Sequence, residues 1–290
     1  MERLKESELI INPDGTIYHL NLRPGDIADN IILVGDPGRV PKISKYFDKI
    51  LHKSQNREIV AHTGELSGKL LTVMSSGMGT DNIDIVLNEL DALVNIDFQT
   101  RKIKDKLSSL NIIRLGTSGA IQEDIPINSF AVSSHGIGFD GMLKFYASEQ
   151  VTDNSLSEEF IRQVDWPGDL PYPYISACSD ELKNKIGKGL NTGMTATAPG
   201  FYGPQGRVLR IPLHHPDLMN KMQHFQFDGK RIINFEMETS ALYGLGKLLG
   251  HNTLTFCAVI ANRALNTYSK IHHQVIEDLI KLVLERVSED

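Results

Sequence analysis

Short apolar runs alternate with longer stretches of helical spacing along the chain, and that alternation predicts an α/β fold. Ile31-Ile32-Leu33-Val34 reads as a buried strand; Gly35-Asp36-Pro37-Gly38-Arg39 breaks it, and Val40 to Phe47 carries a helical pattern. Residues 51 to 74 predict two antiparallel strands about Gly64-Glu65-Leu66-Ser67-Gly68, with Arg57 and Glu58 on the first. A turn at Ser75 to Asn82 leads into a helix marked by Ile83, Val86, Leu87, Leu90 and Val94. Further strands are read at Asn111 to Ala120, Phe130 to Val132, Asn191 to Thr197 and Thr253 to Ala261, and an amphipathic helix at Ile271 to Val287. Ile232 to Phe235 is an apolar run ending in Glu236-Met237-Glu238, and the helix behind it stops at Gly250, a usual cap residue.

Residues 1 to 24 mix charge with turn residues and read as an arm before a single domain spanning 25 to 290. Within it, residues 140 to 181 are the least regular and make the best peripheral excursion or lid. There is no internal repeat and no linker.

Composition narrows the function classes. The 290-residue chain is 41% hydrophobic and 23% charged, with a net charge of −6, which speaks against a nucleic-acid-binding face. Cys178 and Cys257 read as free thiols of a reducing compartment. Charged residues near the start leave no apolar signal core, and no run is long enough to cross a bilayer. The expectation is a cytoplasmic protein.

Glu236 and Glu238, at the carboxyl end of a strand, stand where open α/β sheets bind ligands and suit a polyol. Taken singly, each reads equally as a charge favoured in a first helical turn. Gly35 to Arg39 puts backbone N–H groups and a guanidinium at one strand end, although turn chemistry alone makes it a plain strand-to-helix turn. Arg114 lies inside an apolar strand and must meet an anion or a carboxylate, a structural ion pair being the plainer alternative; Thr117 adds a hydroxyl. Phe201, Gln205 and Arg207 on a Gly- and Pro-rich loop offer a stacking face and planar hydrogen bonding for one flat heterocycle, although an exposed loop with incidental polar residues is, on the residues alone, slightly the plainer reading. Gly77 and Gly79 are only part of a dinucleotide fingerprint, and Gly64 to Lys69 lacks the spacing of a phosphate loop. His214-His215 and His272-His273 have no acidic or cysteine partner at ligand spacing, so no metal site is expected.

The blocks GDPGR at 35–39, RLGTSGAIQ at 114–122, FYGPQGR at 201–207, FEMETSAL at 235–242 and VIANR at 259–263 resemble, in this order, the nucleoside phosphorylases of the trimeric and hexameric class. Within that class the pyrimidine-cleaving branch is nearest, and the resemblance runs from about His19 to the C-terminus. It implies a central mixed, partly barrel-like β-sheet flanked by helices, and phosphorolysis of uridine with inorganic phosphate as co-substrate and no cofactor. By the same resemblance Gly35, Arg39, Arg114 and Thr117 hold phosphate, with Arg57 supplied by a neighbouring subunit. Glu236, Met237 and Glu238 face the nucleoside sugar, His19 reaches it from that neighbour, and Phe201, Gln205 and Arg207 hold the pyrimidine. Arg207, Gln205 and Glu238 carry the catalytic roles. A homo-oligomer, a hexamer in relatives, follows.

Departures accompany the likeness. Purine-cleaving relatives place an aspartate where this chain has Asn262, which favours uridine over inosine. Thr80-Asp81-Asn82 and Pro199-Gly200 replace commoner residues. Glu58 matches the acidic residue that holds a structural monovalent cation in relatives, while Asn82 replaces the usual serine. A nucleosidase, a purine phosphorylase and a non-catalytic nucleoside or phosphate sensor are the competing readings.

Overall fold

The computed structural model describes residues 3–289; the first two residues of the expected arm and the last of the expected domain lie outside them. The chain enters through β1 (Asn30–Val34), α1 (Val40–Ser44), β2 (Lys49–Asn56), β3 (Ile59–Leu66) and β4 (Lys69–Ser75). Helix α2 (Thr80–Asn95) and a small pair, β5 (Ile96–Asp97) with β6 (Lys102–Ile103), precede the long strands β7 (Asn111–Ala120) and β8 (Phe130–Gly138). Then come α3 (Asn154–Val164), β9 (Tyr174–Ala177), α4 (Asp180–Ile186) and β10 (Asn191–Thr197). The last third holds α5 (Leu218–His224), β11 (Gln226–Phe227), β12 (Lys230–Glu236), α6 (Thr239–Leu249), β13 (Asn252–Asn262), β14 (Thr267–Tyr268) and α7 (His272–Glu289).

Strands β12, β10, β8, β13 and β7 hydrogen-bond in that order, and β12 pairs with β7 as well, through Asn234 opposite Ala120 and Phe235 opposite Gly119. Five strands therefore close into a barrel, which removes their free edges. The pairing is mixed: β10 runs parallel to β12 and β8, β7 parallel to β13, and the β8–β13 and β7–β12 contacts are antiparallel. From β7 the sheet continues through β1, β4, β3 and β2. This is the central mixed, partly barrel-like sheet that the resemblance implied.

Closure demands tight layers. A Cβ at Gly136 on β8 would stand 2.7 Å from the Ser240 backbone nitrogen, so only glycine lets α6 lie against the barrel there. One core cluster joins β1, β4, β7, α2 and α7, and it includes Leu9, Ile17, Leu20 and Leu22 of the arm. Each fully buried leucine or isoleucine contributes roughly 1.5–3 kcal/mol, so the described part of the arm is a packed wall. Arg101 fastens it, donating to the carbonyls of Leu4, Lys5 and Leu9.

Two expectations change in detail. Residues 51 to 74 form parts of three strands, and Arg57 and Glu58 make the turn between β2 and β3, where Arg57 adopts a left-handed φ of 52°. The 140–181 stretch carries α3 and β9, the latter paired with β8. Its Trp166 packs on Phe139 and Phe160, with ring centroids 4.7 Å and 5.6 Å apart. Among the described residues no helix is long and apolar enough to cross a membrane.

Candidate active site

The ends of β1, β7, β12 and β13 meet the loop after β10 around a cavity of about 570 Å³. That size suits a small-molecule site. Ten of the residues singled out from sequence line it: Gly35, Arg39, Arg114, Thr117, Phe201, Gln205, Arg207, Glu236, Met237 and Glu238.

On one side of the cavity, β1 runs out into Gly35 and the Asp36 carboxylate accepts a 2.9 Å bond from the Gly38 N–H, which fixes the tight turn through Pro37 to Arg39. Arg39 reaches across to β7 and donates to the Leu115 carbonyl at 2.9 Å. Burial and the nearby Arg114 charge both hold its pKa below the ordinary value. Two guanidinium groups that line one cavity and repel each other suit an anion between them.

Arg114 projects from β7 into the protein and meets both carboxylates at the end of β12. It donates to Glu238, and its Nη1 lies 3.3 Å from a Glu236 oxygen. Burial works against its charge, but the Glu238 and Glu236 charges outweigh that and hold its pKa above the usual range. Nε and Nη1 of Arg114 are nonetheless buried with no hydrogen-bond partner. Buried donors left unpaired cost free energy that an arriving acceptor recovers. The ion pair weighed as the plainer reading of Arg114 is therefore present, with donors to spare.

The two carboxylates divide their work. Glu236 accepts from Thr197 Oγ1 at the end of β10 at 2.7 Å, and from the Glu238 and Thr239 N–H groups at the start of α6 at 2.9 Å and 3.0 Å. It is both a helix cap and a prop for Arg114. Glu238 takes the Gly79 N–H at 2.8 Å and the Arg114 donor, so each of its oxygens keeps a lone pair for a ligand. Burial, opposed by Arg114 and reinforced by Glu236, raises its pKa to about 6.

At the end of the cavity formed by the loop after β10, Arg207 lies 3.9 Å from the centroid of the Phe201 ring and donates to Gln205 Oε1 at 2.5 Å and to the Phe201 carbonyl at 2.6 Å. Arg263, quoted within a motif but given no role from sequence, lines the same cavity and donates to the Gln205 carbonyl. Burial and the Arg207 charge depress its pKa to about 10. Its signal was a cation directly after the long apolar strand. Cys257 on β13 is no nucleophile: burial pushes its thiol up to about 12.

His19 and Arg57 stand outside this cavity. His19 Nδ1 is 2.6 Å from Glu89, which also accepts the His19 and Leu20 N–H groups at 3.0 Å and 2.9 Å. Arg57 lies beside Tyr18, 5.9 Å from its ring centroid, and Asn56 donates to the His19 carbonyl at 3.0 Å. Both residues thus share one outer face of the molecule. One expectation is corrected: His214 and His215 do have an acidic partner, because the fold carries Asp169 to them from 45 residues away in sequence, beyond the reach of motif spacing.

A sheet closed into a five-strand barrel, with arginines and paired carboxylates at its strand ends, defines a nucleoside-phosphorylase type of site. The chain belongs to the Phosphorylase superfamily, whose description matches residues 29–289. It is similar to a uridine phosphorylase of Thermococcus kodakarensis, 29% identical with 98% of this chain and 93% of that one covered. It is also similar to a purine nucleoside phosphorylase of Colwellia psychrerythraea, 28% identical over 93% of this chain and 98% of that one. Among solved structures it resembles a Trypanosoma brucei nucleoside phosphorylase described as showing uridine phosphorylase activity, with a TM-score of 0.84 and 31% identity over 97% of this chain and 100% of that one.

Proposed function

We propose that this protein catalyses the reversible phosphorolysis of uridine to uracil and ribose 1-phosphate. The observation that carries the reading is Arg114: a buried guanidinium held by Glu238 and Glu236 whose Nε and Nη1 make no hydrogen bond, lining the same cavity as Arg39. A water nucleophile needs no such cationic clamp, which weighs against a nucleosidase.

In this reading Gly35, Arg39, Arg114 and Thr117 orient phosphate, and one of its oxygens attacks C1′ as the bond to the pyrimidine nitrogen breaks. Clamping of the nucleophile is worth up to about 7–11 kcal/mol. The bonding pair leaves with uracil, where Gln205 and Arg207 stabilise the developing negative charge, at about 2.7–4 kcal/mol per donor. Glu238 holds the ribose hydroxyls and favours the positively charged sugar of the transition state. Phosphate is the co-substrate in this reading and no organic cofactor takes part.

The positions of His19 and Arg57 on an outer face support a homo-oligomer, a hexamer in this reading, in which each subunit completes its neighbour's site. The cytoplasm is the expected compartment. A panel of uridine, deoxyuridine, thymidine and inosine, each with and without phosphate and followed by release of free base, tests the proposal. Phosphate-dependent release of uracil is expected. Base release without phosphate returns the reading to a nucleosidase, preference for inosine to a purine phosphorylase, and binding without turnover to a sensor.

A further inference from the structure

Outside the nucleoside cavity, His214 and His215 turn the same ring nitrogen toward one carboxylate. Nε2 of His214 is 3.3 Å from an Asp169 oxygen, and Nε2 of His215 is 3.0 Å and 3.2 Å from the two Asp169 oxygens. One nitrogen from each imidazole and a carboxylate oxygen lie within 4.8 Å of one another. As an exposed ion pair this arrangement is worth little, since one imidazole would serve and a second brings mostly crowding. Around a divalent ion the same three atoms are a ligand set. A tetrahedral zinc with bonds of about 2.0–2.2 Å holds its ligand atoms roughly 3.3–3.6 Å apart, close to the two imidazole–carboxylate separations found here.

The two sides of the triad come from different loops. Asp169 follows Trp166, whose ring is wedged against Phe139 and Phe160, so that side is anchored to the barrel. His214 and His215 end the irregular run that begins with Phe201, Gln205 and Arg207 and stops at α5. That run exposes Val208, Leu209 and Ile211, large apolar side chains that contribute little to holding it in place. A cleft of about 390 Å³ opens beside the triad, which leaves room for a water as the fourth ligand. The Lys221 ammonium on that cleft is engaged by Asp165 at 2.9 Å.

We propose that Asp169, His214 and His215 bind a divalent transition metal, zinc being the ion that two imidazoles and one carboxylate suit, and that the bound metal clamps the 201–215 run to the Trp166 loop. Nitrogen donors disfavour magnesium and calcium, which take oxygen ligands. The clamp is a property of this chain's own loops and holds whatever base the cavity accepts.

The test uses the full chain without an affinity tag, stripped with chelator and titrated calorimetrically with zinc chloride alone. One ion per chain is expected. Asp169→Asn, His214→Ala and His215→Ala should each weaken binding by more than the about 10–100-fold that outer-shell changes cost, and Lys221→Ala should leave it unchanged. Zinc should also slow tryptic cleavage after Arg207 and Arg210 in the wild type and not in Asp169→Asn. Absence of binding, equal binding in all three ligand variants, or binding that leaves the cleavage rate unaltered would overturn the clamp. Binding lost in the variants together with protection of the run would establish it.

Discussion

Gly116 lies two residues after Arg114 on β7, and any side chain there would overlap the Arg114 guanidinium. The glycine exists to let that arginine fold back toward Glu238. Gly116→Ala is therefore expected to keep the barrel and displace the charge. A misplacement on the order of 1 Å can cost about a hundredfold in rate, and the loss should appear first as a raised KM for phosphate. Initial-rate kinetics over a phosphate series measure it, and an unchanged phosphate KM would contradict the placement of Arg114.

Removing the guanidinium outright is a harsher change. Arg114→Ala leaves Glu236 and Glu238 buried side by side with no cation, and breaking a buried pair in this way costs about 3–5 kcal/mol. Denaturant unfolding should show that loss together with the disappearance of phosphate-dependent turnover. Arg114→Lys is expected to restore part of the stability and little of the activity, because a single ammonium cannot reach two carboxylates and an anion at once.

Glu238 links pH to both stability and rate. Its pKa of about 6 stands above the ordinary 4.5, so between those values the folded protein keeps a proton that the unfolded chain has released. The stability contributed by that proton is complete below 4.5 and is lost as pH rises through about 6. Activity is expected to run the opposite way, since the ribose grip proposed for Glu238 needs the carboxylate. A profile of kcat/KM for uridine over about pH 5 to 8 should climb through about 6, and a flat profile would remove Glu238 from that role.

Asn262 stands where purine-cleaving relatives carry an aspartate, but here it is also a structural part. Its amide nitrogen donates to the Gln122 and Ile125 carbonyls, both at 2.8 Å, and its oxygen accepts the Leu265 N–H at 3.0 Å. A carboxylate cannot supply those two donors. Asn262→Asp is expected to destabilise the fold by about 1–3 kcal/mol per carbonyl left unpaired and to confer no inosine phosphorolysis. Thermal unfolding and an inosine assay of the same preparation check both halves.

At the base end, Gln205→Ala removes the planar amide, and Arg207 loses the partner that positions it over Phe201. The expected outcome is a fall in kcat/KM for uridine of about 2.7–4 kcal/mol in transition-state terms, with a smaller fall for a nucleoside whose base leaves readily by itself. Equal losses for both substrates would mean the residue only shapes the loop.

Much of this was legible along the chain because it is local. Strands β1, β7, β10, β12 and β13 each announce themselves as apolar runs, and the residues that break them are those that line the cavity. What escaped was made by contacts distant in sequence. The pairing of Asn234 with Ala120 that closes the barrel joins residues 114 positions apart and leaves no periodicity to read. Arg57 sits in a left-handed turn conformation that an arginine rarely adopts, so the hairpin it makes was read as a continuing strand. Asp169 meets His214 and His215 only because Trp166 anchors one loop beside another.

The seam between β12 and β7 has a consequence for how the molecule breathes. β12 is bonded to β10 on one flank and to β7 on the other, so the strand that delivers Glu236 and Glu238 cannot peel away by itself. Amide hydrogens at Asn234 and Phe235 should exchange with deuterium only when the whole barrel opens, while those from Val208 to Arg210 exchange readily. Substrate entry and exit are then left to the loops, and the acidic floor stays still beneath them.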